Sequence, residues 1–98
     1  MVKREDLKVG SFYLVKLGEN TFLAKLMAID TIDANIANTA NDIVFFSTMV
    51  FNPRASSKTE EFFLHDCHEE NFIRKVSVRK ARSIIKPALA RYENFLKQ

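Results

Sequence analysis

The sequence predicts a mainly β fold: a small twisted, partly open β-barrel of about five strands followed by a C-terminal α-helix. Three observations lead there. Short apolar runs alternate with a period of two and are separated by turn residues; one of these runs is cut off at Asn52-Pro53; and beyond Val78 the apolar spacing becomes helical. With so little helix between the strands, a small barrel or half-open sandwich is the expected architecture. Ninety-eight residues make a single domain, 1–98, in which residues 79–98 form a basic helical segment. A chain of this size buries about two-thirds of its unfolded surface, enough for one core.

The elements follow in order. Phe12 to Leu17 alternates, and Gly18-Glu19-Asn20 supplies turn chemistry, so the run from Phe22 to Ile29 returns as the second arm of a hairpin. In that arm both alternating sets are largely apolar, which marks a central strand buried on both sides. Asp30 to Asp42 is rich in Asp, Asn, Thr and Ala without a period and is expected to be a mobile connection. Ile43 to Phe51 has the highest density of β-branched and aromatic residues in the chain. Pro53 cannot donate to a sheet and drives Asn52 toward extended geometry, so that strand ends there and a polar loop runs through Lys58. Glu60 to His65 and Phe72 to Val78 are two further short strands. Ile85, Leu89, Tyr92 and Leu96, with Phe95 beside them, recur at helical spacing, and Pro87 suits a first turn, which predicts a helix of about ten residues packed on the barrel.

Charge is distributed unevenly. Residues 1–71 hold seven Lys/Arg against eleven Asp/Glu, whereas residues 72–98 hold eight against Glu93 alone. The C-terminal third is therefore expected either to face an acidic partner or to be a solvated helix face. No apolar run is long enough to span a bilayer, so no membrane contact is expected. The start, Met1 to Asp6, mixes charges without an apolar stretch behind it, which does not support a secretory leader. Cys67 is the single cysteine and cannot form an internal disulfide, as fits a reducing compartment.

Catalytic signatures are missing. Gly10 and Gly18 are the only glycines, so there is no phosphate-cradling loop, and no nucleophile elbow or zinc-protease pattern occurs. The run His65-Asp66-Cys67-His68-Glu69-Glu70 contains zinc-ligand types but lacks the second separated pair that a tetrahedral site needs. Cys67 beside His65 and His68 does not make a nucleophile and base, because neighbours in a loop rarely converge. The expectation is a non-enzymatic binding protein with no cofactor and no metal.

Met49 to Ser56, read with Phe22 to Leu26 and Glu61 to Asp66, resembles the core of a bromo-adjacent homology domain, a chromatin-associated β module. Pro53, Ser56, Glu61, Leu64 and Asp66 fall where that family's motifs place such residues; Met49 and Asn52 do not. The likeness covers about Phe12 to Val78. It implies docking on nucleosomes or a chromatin protein, with a non-specific DNA contact, and a nuclear location; without it the location is simply intracellular. Basic family surfaces meet DNA or the acidic histone face, and Arg74, Lys75, Arg79, Lys80 and Arg82 are the candidates here. Some members hold methyl-lysine in an aromatic cage. By position the cage falls on Phe22, Met49 and Phe51, a degenerate set in which the tryptophan place is taken by Met49; the same three residues also suit ordinary core packing. Arg54 and Lys58 either extend the basic contact or are ordinary loop charges. No single-strand stacking platform accompanies the cations, so base-specific reading is not indicated. Two alternatives stand beside this: a bacterial or viral small-barrel assembly protein with a protein partner, and a general nucleic-acid-binding barrel. Oligomeric state is left open.

Overall fold

The computed structural model describes the backbone of residues 2–54 and 61–97, with side chains described as far as residue 88 and at Ala90. The chain is mainly β. Five strands, β1 (Phe12–Leu17), β2 (Asn20–Ile32), β3 (Ile43–Phe51), β4 (Phe62–Cys67) and β5 (Phe72–Val76), form one antiparallel sheet in the order β4-β3-β2-β1-β5. The sheet does not close. A four-residue helix, α1 (Ala34–Ala37), joins β2 to β3, and a 20-residue helix, α2 (Val78–Lys97), follows β5. Short 3-10 turns lie at Arg4–Asp6 and Glu69–Asn71.

β2 is the middle strand, as its doubly apolar pattern predicts, with Ala24 and Leu26 buried on one face and Leu23 on the other. Its hairpin with β1 turns through Gly18 and Glu19. Gly18 has φ +63°, which a two-residue loop requires at its first position and which costs glycine nothing.

Each face of the sheet has its own core. On the concave face Tyr13, Val15, Ala24, Leu26, Phe46, Val50, Cys67 and Phe72 pack together, covered by Leu7 from the N-terminal segment. Phe46 on β3 and Phe72 on β5 have ring centroids 5.5 Å apart. In a flat sheet these strands, three spacings of about 4.8 Å apart, would lie roughly 14 Å from one another, so the sheet must curl strongly to bring the rings together. On the convex face Leu23, Phe51 and Val76, with Phe12 and Leu14, receive Ala81, Ile84, Ile85 and Ala88 of α2. These four helix positions recur at three- and four-residue intervals, which is the apolar stripe of an amphipathic helix. Ala81 and Ala88 are buried in this contact.

One irregularity lets β5 serve both cores. The β1–β5 register shifts between Leu14 and Val15, so that Phe72 pairs with Val15 while Arg74 pairs with Leu14 and Val76 with Phe12. Ile73 is the extra residue. Without it, strict alternation would put Phe72 and Val76 on the same face. A second shift, between Leu26 and Ala28, falls where β2 leaves the core.

Several boundaries differ from expectation. Asp30 to Asp42 is not one irregular connection: β2 continues through Ile32, Asp33 caps α1 by accepting from the Asn35 N–H at 2.8 Å, and Asp42 accepts from the Ala34 N–H at 2.8 Å. The turn-prone Asp residues act there as helix caps. β4 runs Phe62–Cys67 rather than ending at His65, and β5 stops at Val76. The last helix is twice the expected length. It starts at Val78 because Ser77 caps it, its Oγ accepting from the Lys80 N–H at 3.1 Å, so Pro87 lies in the interior and not in the first turn. The side chains of Leu89, Tyr92, Phe95 and Leu96 lie outside the described residues, as do Ser56, Lys58 and Glu60.

Candidate anionic-surface interface

Arg74, Lys75, Arg79, Lys80 and Arg82 are all exposed and sit on two elements joined at Ser77. Between Phe72 and Ala90 the chain carries six Lys/Arg and no carboxylate. Arg4 and Glu69 form an ion pair at 3.3 Å, and none of the five candidates is paired with a described carboxylate.

The structure points them in different directions. Arg74 is brought to the convex face by the Ile73 bulge and lines a groove of about 300 Å³ with Lys80, over a floor of Leu14, Val76 and Ile84, whereas Lys75, paired with Tyr13, belongs to the concave side of β5 at the rim of that groove. Arg79 and Arg82 lie on the outer side of α2, opposite the stripe that meets the sheet. At 100° per residue Lys86 falls between them, so it belongs to the same outer row. Lys86 is not among the five candidates, although its seven-residue spacing from Arg79 signals it. Arg54 stands apart, at the far end of β3, where its N–H donates to Asn52 Oδ1 at 3.1 Å.

The aromatic cage expected from the family resemblance does not assemble. Phe22 pairs with Val15 and packs against the concave core, edge-on to Phe63 at 6.3 Å. Phe51 pairs with Leu23 on the convex face, and Met49 follows two residues earlier on that same face. Positions 22 and 23 necessarily point to opposite sides of a strand, so Phe22 cannot converge with the other two. Phe51 is 3% exposed and stacks at 5.0 Å on Phe62, a core contact. Met49 and Phe51 instead line an apolar cleft of about 190 Å³ with Phe12, Leu23, Phe62 and Ile85.

The polar run around Cys67 is spread out by β4. His65 is exposed, Cys67 points into the concave core, and His68 opens the 3-10 turn, its N–H donating to Asn71 Oδ1 at 2.7 Å. Burial pushes the Cys67 thiol up from its ordinary value; the hydrogen bond with Thr48 at 3.5 Å works against this, and the Asp66 charge adds to it. A thiol so placed is a packing group. Among the described residues no three His, Cys, Asp or Glu side chains gather as a metal site would need, and no helix is long and apolar enough to cross a membrane. No protein-family model matches the chain, and no curated protein or solved structure matches it.

Proposed function

We propose that the chain is a non-enzymatic, chromatin-associated binding module that docks on nucleosomes through Arg74, Lys75, Arg79, Lys80 and Arg82. The observation that carries this reading is the run of exposed cations from β5 through the first turns of α2, with no carboxylate among them in sequence and no described carboxylate partner. Such a surface gains free energy by displacing counterions from a polyanion, and it needs no base contacts to do so. The likeness of Pro53, Glu61, Leu64 and Asp66 to bromo-adjacent homology motifs supplies the chromatin context. The missing cage removes methyl-lysine reading from the proposal.

The test is a salt titration of mononucleosome binding, run beside free DNA of the same length. If five cations each meet a phosphate, log affinity falls against log salt with a slope of about −4.5, a loss of roughly 500-fold between 50 and 200 mM. Replacing Arg79 and Arg82 together by Glu brings the slope toward about −3 or flatter on the same relation. Tighter binding to nucleosomes than to free DNA supports the chromatin reading, and equal binding favours a general nucleic-acid module. No binding at low salt, or indifference to the two replacements, refutes it.

A further inference from the structure

The two edges of the sheet are built differently. β5 carries Arg74 and Lys75, is broken by the Ile73 bulge, and has its Phe72 carbonyl covered by the Val2 N–H at 3.5 Å. Charged side chains, bulges and covering segments are the usual protections of an exposed strand edge. β4 has no bulge and, among the described residues, no covering segment, and its charged side chain is the carboxylate of Asp66. Phe62–Cys67 contains no Lys, Arg or Pro, pairs with β3 in unbroken register, and has no strand on its other side among the described residues.

Its convex-face side chains are Phe62, Leu64 and Asp66, opposite Phe51, Met49 and Ser47. Leu64 is 70% exposed and Phe62 38%. Asp66 is one of two carboxylates that share a single hydroxyl: Ser47 Oγ lies 3.0 Å from Asp66 Oδ1 and 3.2 Å from Asp30 Oδ2. A hydroxyl has one hydrogen, so it can serve only one of them at a time. The nearest cation in register, Lys25 beside Met49, turns away from this pair and sits 5.8 Å from the Phe12 ring on the opposite side.

We infer that β4 is a docking edge for an extended segment of another protein that pairs antiparallel to it and carries a Lys or Arg and then two apolar residues at alternate positions. Backbone pairing along the edge would supply affinity, and the alternate side chains would supply selectivity. The apolar pair covers Phe62 and Leu64, and the cation meets Asp66 and Asp30. A second copy fits less well, because β4 has no Lys or Arg to set against Asp66 in any self-pairing register. This inference is independent of the basic surface, which lies on the other side of the molecule's sheet order.

The experiment uses the full chain labelled with nitrogen-15 and a blocked peptide Thr-Arg-Thr-Val-Thr-Val-Thr. The expected result is amide shifts confined to β4 and its neighbours on β3, with slowed hydrogen exchange along β4. A peptide with Glu in place of Arg binds about tenfold more weakly, and D66K inverts that preference. L64K, at an exposed position that leaves the core intact, abolishes the shifts. Absence of β4 shifts at millimolar peptide overturns the inference. So do shifts centred on α2, loss of the charge preference, or sedimentation showing that the free protein already pairs with itself through this edge.

Discussion

Replacing Tyr13 by Phe removes one oxygen and leaves the packing untouched, which makes it a clean probe of how the N-terminal segment is held. The Tyr13 ring is fully buried and meets Phe72 edge-on at 5.4 Å, a contact that phenylalanine keeps. Its hydroxyl accepts from the Lys8 N–H at 2.9 Å and donates to the Asp6 carbonyl at 3.2 Å. These two groups flank Leu7, which covers the concave core. Loss of the hydroxyl strands a donor and an acceptor in a partly buried place, and the expected cost is about 2 kcal/mol. For a domain of this size that lowers the melting temperature by about 8–16 °C. Thermal and urea melts measure the loss, and amide exchange at Leu7 reports whether the segment loosens first. A variant that melts within about 2 °C of the parent, with Leu7 protection unchanged, would show that the clamp contributes nothing.

Two further outcomes follow from the same geometry. Because burial raises the Cys67 pKa, the folded chain keeps a proton that the unfolded chain releases once pH passes the ordinary thiol value of about 8.5. The Cys67 contribution to stability is therefore level below that pH and falls as pH climbs through it, a loss seen in urea melts from about pH 8 to 9.5 as a slope that Cys67→Ala lacks. Introducing the family's tryptophan with Met49→Trp gives no selective binding of a trimethyl-lysine peptide in fluorescence polarisation, because Phe22 faces the other core; a tenfold preference over the unmethylated peptide would contradict the face assignment.

The strands were largely legible because alternation is a local property: Phe12 to Leu17, the run from Phe22, and Ile43 to Phe51 all appear where their periodicity puts them. What local pattern could not convey was which face each residue takes once the register slips. Ile73 looks like any apolar strand residue, yet as a bulge it sends Phe72 to one core and Val76 to the other, and turns Arg74 toward the helix. The helix start was hidden for a related reason. Pro87 signals a first turn, while the true cap, Ser77, follows a strand directly and the stripe of Ala81, Ile84, Ile85 and Ala88 uses small residues that carry little apolar signal. The basic surface was visible as composition, since charge counts survive any folding. The cage positions were not, because their likeness to a motif says nothing about whether neighbouring side chains share a side.

Between Val76, the last residue of β5, and Val78, the first of α2, stands only Ser77. A joint of one residue, already committed to capping, leaves almost no torsional slack, so the bearing of the helix is inherited from the edge strand. Twenty residues of helix measure about 30 Å, and a 10° change of pitch at that joint would swing the distal tip by about 5 Å. Whatever the far turns touch is thus aimed by the sheet, and anything that pries at β5 is felt at the tip.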